Sequence, residues 1–372
     1  MTAALVMLIV WGIAVGTTSL LTPVMRALSQ RLRLYDRVEP RKLHTRPMSR
    51  LGGVAIFAGF AVALGASFWL TGAQSPIQRD AYENLRLMLL LLGAAMLWVV
   101  SLLDDLYDLP ALPRLIWHVV CALVAVGPYL WEQTLHQPGD QARGIIFTAF
   151  NNPISGGQIN FHQLSPWLAI VVTLFWIVGM INIVNWIDGL DGLAAGVTLI
   201  AAIILAIHTW TLGQYTVALL PLALAGACVG FLPFNFHPAR IFMGDSGAMV
   251  LGYVLAIAAI IGGAKLASAL LVLGVPILDG VWMVLYRRYS GGRASAADRR
   301  HLHHRLLDLG LSQRQVVLLY YTVSALFGAI ALLVPDGYRA LKLAALGLLV
   351  LLLAGALLYV TRRRPHQVGV GH

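Results

Sequence analysis

Apolar stretches of about 18 residues or more recur from one end of this chain to the other, and each is long enough to cross a bilayer as a helix. Eleven such spans are expected, at about 4–25, 51–72, 85–103, 115–132, 165–184, 191–212, 215–234, 247–263, 266–286, 315–334 and 340–361. Only 11% of the residues are charged and 59% are hydrophobic, whereas soluble domains carry about 25% charged residues. The fold class is therefore an all-α polytopic membrane protein, read as one domain over residues 1–372. No internal repeat or low-complexity tract divides it. Cys121 and Cys228 both fall inside apolar stretches and read as small packing residues, not as a disulfide or a metal pair.

The first span reads as a retained helix and not a cleaved leader. No base precedes it, while Arg26, Arg31 and Arg33 follow it. An odd number of spans places the two ends of the chain on opposite sides. The connections after spans 1, 3, 5, 7 and 9, with the C-terminal tail, hold 20 of the 26 Lys and Arg residues. By the positive-inside rule that face is cytoplasmic and the N-terminus is outside. The net charge of +10 thus belongs to a membrane topology, and nucleic acid is not an expected partner. On the other side, residues 133–164 form the one long loop, and its two short alternating segments around Asn, Pro and Gly suit a small external β-hairpin at about 140–163.

The polar residues that remain gather in five places, all expected at the cytoplasmic face in loops at about 26–50, 104–114, 185–191, 235–246 and 287–314. "RKLHTRPMSRLGG" carries Lys42 and His44 beside a Pro and a Gly pair, a turn suited to phosphate. "SLLDDLYDLPALPR" clusters Asp104, Asp105 and Asp108, with Asp104 and Asp108 on one face of a continuing helix. Adjacent carboxylates repel, so such a cluster at an interface calls for a cation or a proton-transfer role. "NIVNWIDGLDGLA" repeats a polar residue every third position, at Asn182, Asn185, Asp188 and Asp191. "FNFHPARIFMGDSG" sets Asp245 between Gly244 and Ser246 at the start of a span, where an N-cap alone would also account for it. "RRYSGGRASAADRRHLHHRL" interleaves Arg287, Arg288, Arg299 and Arg300 with His301, His303 and His304, a set suited to a diphosphate and a sugar. A structural zinc site is a second reading of the three histidines, although no cysteine is near them.

Taken in order, these motifs resemble the polyprenyl-phosphate N-acetylhexosamine-1-phosphate transferases, from "RKLHTRP" through "DDLYD", "NIVNWIDGLDGLA" and "PARIFMGDSG" to "DRRHLHHRLL". The HxHH loop looks like the branch that uses UDP-N-acetylglucosamine; the branch that uses UDP-MurNAc-pentapeptide carries a different histidine motif there. Arg114 departs from the Lys common to both branches, keeping the charge but changing the geometry offered to a phosphate. The resemblance implies transfer of a sugar-1-phosphate from a UDP-sugar to undecaprenyl phosphate in the bacterial cytoplasmic membrane, with release of UMP. It implies Mg²⁺, or Mn²⁺ in its place, with Asp245 as principal ligand and Asp105 and Asn185 around it. Asp104 is the expected base on the lipid phosphate. Asn182, Asn185, Asp188 and Asp191 would lie around metal and nucleotide. Lys42, His44, Arg287, Arg288, His301, His303 and His304 would face the substrates. A homodimer is left open. The rival from another class is an anion-coupled transporter, whose charges would sit near mid-membrane on broken helices. Here only Asp279 lies clearly inward.

Overall fold

In hydrocarbon every backbone amide must find its partner inside the protein, which makes helices the solution for segments this apolar. The computed structural model describes residues 2–36, 47–72, 75–135, 144–151, 158–262, 273–289 and 301–334, with parts of 338–355. Its helices run α1 Ala3–Leu32, α2 Gly52–Leu70, α3 Ala81–Tyr107, α4 Ala111–Leu135, a short α5 Phe161–Leu164, α6 Pro166–Ile187, α7 Leu193–Thr211, α8 Tyr215–Asn235 and α9 Gly244–Ile261. After these come α10 Gly274–Tyr289, α11 Leu302–Asp308 and α12 Gln313–Leu333. Among the described residues nine helices are long and apolar enough to cross a membrane: α1–α4, α6–α9 and α12. The spans expected at 266–286 and 340–361 fall partly outside the described residues, as do Lys42, His44, Arg46, Arg299 and Arg300.

Local sequence sets the helix ends. Before α3, Asp80 accepts from the Glu83 amide at 2.6 Å and the Glu83 carboxylate returns to the Asp80 amide at 3.3 Å. Ser312 and Gln315 close the same reciprocal box before α12. Two short antiparallel pairings complete the secondary structure. β1 (Tyr35–Asp36) pairs with β2 (Met48–Ser49), and β3 (Ala149–Asn151) with β4 (Gln158–Asn160). The second lies within the stretch expected as a hairpin, whose residues 152–157 are outside the described set.

Hydropathy alone does not say which helix is central; burial does. In α9, 78% of the most apolar window is buried inside the protein, against 28% in α1 and in α4. α9 is flanked by α3, α6, α2, α7 and α8, while α1 lies on α2 and α8. The backbones of α6 and α9 can approach because Gly252 faces Met180 and Ile181, where any added Cβ would strike the α6 backbone. The chain direction then brings the C-terminal ends of α3, α6 and α8 and the N-terminal ends of α2, α4, α7, α9 and α12 to one face of the bundle.

Candidate active site

At that face the start of α9 is capped by a residue from another helix. The first amides of a helix lack intrahelical acceptors and carry partial positive charge. Met243 occupies the N-cap without a side-chain bond. Asp105, near the end of α3, supplies two of the missing acceptors: its Oδ1 takes the Asp245 amide at 2.8 Å and its Oδ2 the Ser246 amide at 3.0 Å. Gly244 makes this possible. Its φ is +70°, and a Cβ there would lie 2.6 Å from Asp105 Oδ2 and 2.7 Å from the Arg50 carbonyl.

This cap aims Asp245 into the cluster. Its Oδ1 accepts from Asn185 Nδ2 on α6 at 2.8 Å, and Arg114 Nη1 on α4 donates to its Oδ2 at 3.4 Å. The same guanidinium nitrogen donates to Asp104 Oδ2 at 2.8 Å, while Asp104 Oδ1 accepts from the Leu109 amide at 2.8 Å. Asp104 is therefore buried and engaged at both oxygens, whereas a third of the Asp245 side chain is exposed (34%). Asp108, expected to continue the α3 face, instead leaves the helix in a left-handed conformation (φ 51°), and its side chain is 91% exposed.

The link from α6 to α7 supplies the next acids. Asn182, one turn before Asn185, donates to the Val178 carbonyl at 2.7 Å and lies 3.3 Å from His118 Nδ1. Asp188 stands just past the end of α6. Burial, then the carboxylates of Asp245, Asp105 and Asp191, push it well above the usual carboxylate range. Asp191 turns the other way. Its Oδ2 accepts from the Ala239 amide at 3.0 Å and lies 2.7 Å from His237 Nδ1, tying the turn to the loop before α9. Asn235 and Tyr321 fasten the same turn by bonds to the Gly192 amide and carbonyl.

The histidines arrive on α11. His303 is fully buried, with neither ring nitrogen hydrogen-bonded, and burial, then the neighbouring His304 and His301, drives it well below the ordinary imidazole range. It rests on the α6–α7 turn so closely that a Cβ on Gly189 would sit 2.6 Å from its Nε2. His301 stacks on His303 (centroids 5.5 Å apart, 13° between planes), and His304 is tilted against it at 4.4 Å.

Of the residues expected from sequence, Asp104, Asp105, Asn185 and Asp245 thus meet in one cluster, with Asp188 close enough to be shifted by it. Asn182 and Asp191 adjoin it through other partners. His301, His303 and His304 reach the neighbouring turn. Arg287 and Arg288 lie on α10 with side chains outside the described set. His118 and His237 were missed: each is a lone histidine in sequence, and only the fold pairs it with Asn182 or Asp191.

A helical membrane bundle that gathers acids, an arginine and histidines at one face is suited to charged groups at the membrane surface. Residues 87–263 match the family described as glycosyl transferase family 4. The chain is 31% identical to a probable undecaprenyl-phosphate N-acetylglucosaminyl 1-phosphate transferase of Bacillus subtilis (strain 168), over 86% of this chain and 82% of that protein. It is 35% identical to a decaprenyl-phosphate N-acetylglucosaminephosphotransferase of Mycobacterium tuberculosis (strain ATCC 25618 / H37Rv), over 81% and 75%. A phospho-N-acetylmuramoyl-pentapeptide-transferase of Desulforudis audaxviator (strain MP104C) is 31% identical, over 87% and 97%. The chain belongs to glycosyl transferase family 4, among its multi-pass membrane enzymes of sugar-phosphate transfer.

Proposed function

We propose that this protein transfers N-acetylglucosamine-1-phosphate from UDP-N-acetylglucosamine to undecaprenyl phosphate, releasing UMP and starting a lipid-linked cell-envelope glycan. The observation that carries the reading is Arg114 held between Asp104 and Asp245, beside Asn185, at one end of the bundle. A lipid phosphate held at the membrane surface meets a soluble sugar nucleotide at that level. An oxygen of the lipid phosphate attacks the β-phosphorus of the UDP-sugar; the bond from that phosphorus to the bridging oxygen breaks, and UMP leaves with the electron pair.

A phosphate monoester is already mostly ionised near neutral pH, so the step needs little help from a base. With both oxygens of Asp104 engaged, we assign it to holding Arg114 toward the phosphates in place of the proton acceptance expected from sequence. Mg²⁺ suits the donor set. Among the described residues no three His, Cys, Asp or Glu side chains form a ready cage. Mg²⁺ asks for none, since it commonly takes one or two carboxylates and completes its shell with substrate phosphates and water. Asp245 is the partly exposed carboxylate, Asn185 on α6 would add an amide oxygen, and Asp105 holds the α9 start that presents Asp245. Bound there, the ion offsets the repulsion between two anionic substrates.

The test is UMP release by purified protein with undecaprenyl phosphate, Mg²⁺ and a panel of UDP-sugars. UDP-N-acetylglucosamine is expected to be used best; preference for UDP-MurNAc-pentapeptide would move the protein to the other branch. Sidedness is tested by cysteine labelling, with native Cys121 and Cys228 buried. Ser312→Cys should label only from the cytoplasm and Thr211→Cys only from outside.

A further inference from the structure

Asp279 on α10 is an acid at 2% exposure in an apolar setting, far from the carboxylate cluster in sequence and without a role in the transfer chemistry above. A carboxylate so placed is costly unless every oxygen is used. Both are. Oδ1 accepts the Leu302 amide at 2.9 Å, and Oδ2 lies 3.2 Å from His301 Nδ1 and 3.9 Å from His303 Nδ1. Leu302 is the first residue of α11, and His301, its N-cap, makes no side-chain bond to its own helix. A seven-residue helix has almost no stability of its own. Its position is set from outside, by Asp279 beneath it.

The same histidine is tied to the carboxylate cluster by packing. Trp186, the residue after Asn185, lies 6.4 Å from the His301 ring, centroid to centroid. Gly280 also borders the indole, and a Cβ there would come within 3.1 Å of it. Asp279 and Gly280 therefore act together, one fixing the imidazole by hydrogen bond and the other leaving room for the ring beside it.

We infer that Asp279 is a positioning residue for the sugar-nucleotide side of the site: its carboxylate fixes Nδ1 of His301 and the start of α11, so that His301 presents Nε2 outward to the donor. A neutral imidazole that donates from Nδ1 to a carboxylate has its Nε2 lone pair free to accept a hydroxyl or amide proton of the donor. The inference rests on the proposed transferase reading for the identity of the donor, while the tautomer it demands does not.

Asp279→Asn tests it in the full-length protein. The amide oxygen can still accept the Leu302 amide, but the amide nitrogen can only donate, so the proton on His301 must move from Nδ1 to Nε2. With UDP-N-acetylglucosamine, undecaprenyl phosphate and Mg²⁺, kcat/KM for the donor should fall about ten- to a hundredfold, the cost of leaving a donor hydroxyl or amide facing an N–H in place of an acceptor. The KM for undecaprenyl phosphate should stay within twofold. His301→Gln should show the same donor-selective loss, and the double variant should be no worse than either single one. Independent losses that multiply would overturn the inference, as would a loss shared equally by both substrates. If Asp279→Asn does not fold, His301→Gln alone decides, and unchanged donor kinetics there overturn it. Nitrogen-15 NMR of the His301 ring supplies a readout apart from turnover: Nδ1 protonated in the wild type supports the inference, and Nε2 protonated overturns it. Absence of UMP release from any UDP-sugar by the wild type would instead sink the transferase reading and leave the NMR result standing.

Discussion

Two Asp-centred clusters lie side by side at one face of the bundle, and they use their carboxylates in opposite ways. Around Asp245, the acids Asp104, Asp105 and Asp188 gather, with Arg114 bonded to Asp104 and Asp245 and Arg50 near enough for its charge to favour the ionised form of Asp188. Around His301, one carboxylate, Asp279, is fully consumed by an amide and an imidazole. The first cluster holds more carboxyl groups than cationic partners, which suits a cation and phosphates arriving from outside. In the second the carboxylate is saturated and fixes His301, while the buried His303 ring is held by packing alone, which suits shape recognition. Charge surplus marks where chemistry would occur; saturation marks what holds a substrate for it.

The largest break between the two should come from Asp245→Asn. It keeps the shape and removes one charge from the surplus cluster. Turnover should fall by roughly a thousandfold, the several kcal/mol expected of a lost metal-bound charge, with thermal unfolding little changed. Activity within tenfold of wild type, unaffected by EDTA, would erase the distinction between the clusters.

Gly189→Ala tests the contact between them. The added Cβ would lie 2.6 Å from Nε2 of a fully buried His303, which has nowhere to retreat. Overpacking of this kind costs about 1–3 kcal/mol, so the thermal midpoint should drop by several degrees and donor KM should rise. An unchanged midpoint would mean that α11 sits loosely on the turn.

Arg114→Lys sharpens the reading of the first cluster. One guanidinium nitrogen now reaches both Asp104 and Asp245, and a lysine offers a point charge in place of a planar fork. Expected is a loss of about tenfold in kcat/KM for undecaprenyl phosphate, equivalent to about 1.4 kcal/mol, with donor KM nearly constant. A change confined to the donor would place Arg114 on the wrong substrate.

What the sequence could and could not say follows from the range of each interaction. Spans and motif order are local properties, and Asp245, Asn185, Asp104 and Asp105 could be grouped from their motifs before any geometry was known. Capping in trans could not. "GDSG" reads as its own N-cap, yet Asp105, 140 positions away in the chain, supplies the acceptors. The role expected of Asp104 met the same obstacle, because its engagement depends on a turn that begins at Asp108 and returns Arg114 beneath it. Asp191 looked like one more step in a polar strip, but Gly192 in a left-handed turn (φ +81°) redirects the chain, and the acid faces His237. Asp279 was visible as an inward acid, and its partner 22 residues on was not.

The smallest expected effect is a pH dependence, and it separates the clusters by sign. His303 is held neutral by burial and by the neighbouring His304 and His301, so its folded pKa lies well below the unfolded value of about 6.5. A base whose folded pKa is depressed binds fewer protons in the native state. Its contribution to stability is present in full above pH of about 6.5 and is lost as the pH falls below it, at up to about 1.4 kcal/mol per pH unit. Asp188, raised by burial and by its acidic neighbours, works in reverse: the unfolded carboxylate ionises first, so its burden on stability grows as the pH rises above about 4. Between pH 6.5 and 5, acidification should therefore lower stability through His303 while easing the strain at Asp188. The measurement is urea unfolding of the detergent-solubilised protein across that window, for the wild type and for His303→Gln, which fills most of the same volume without a titrating ring. The variant should lose less stability on acidification than the wild type. Identical slopes would mean that the ring takes up its proton without leaving its seat on Gly189, and the picture of a His303 ring held neutral by tight packing would fail.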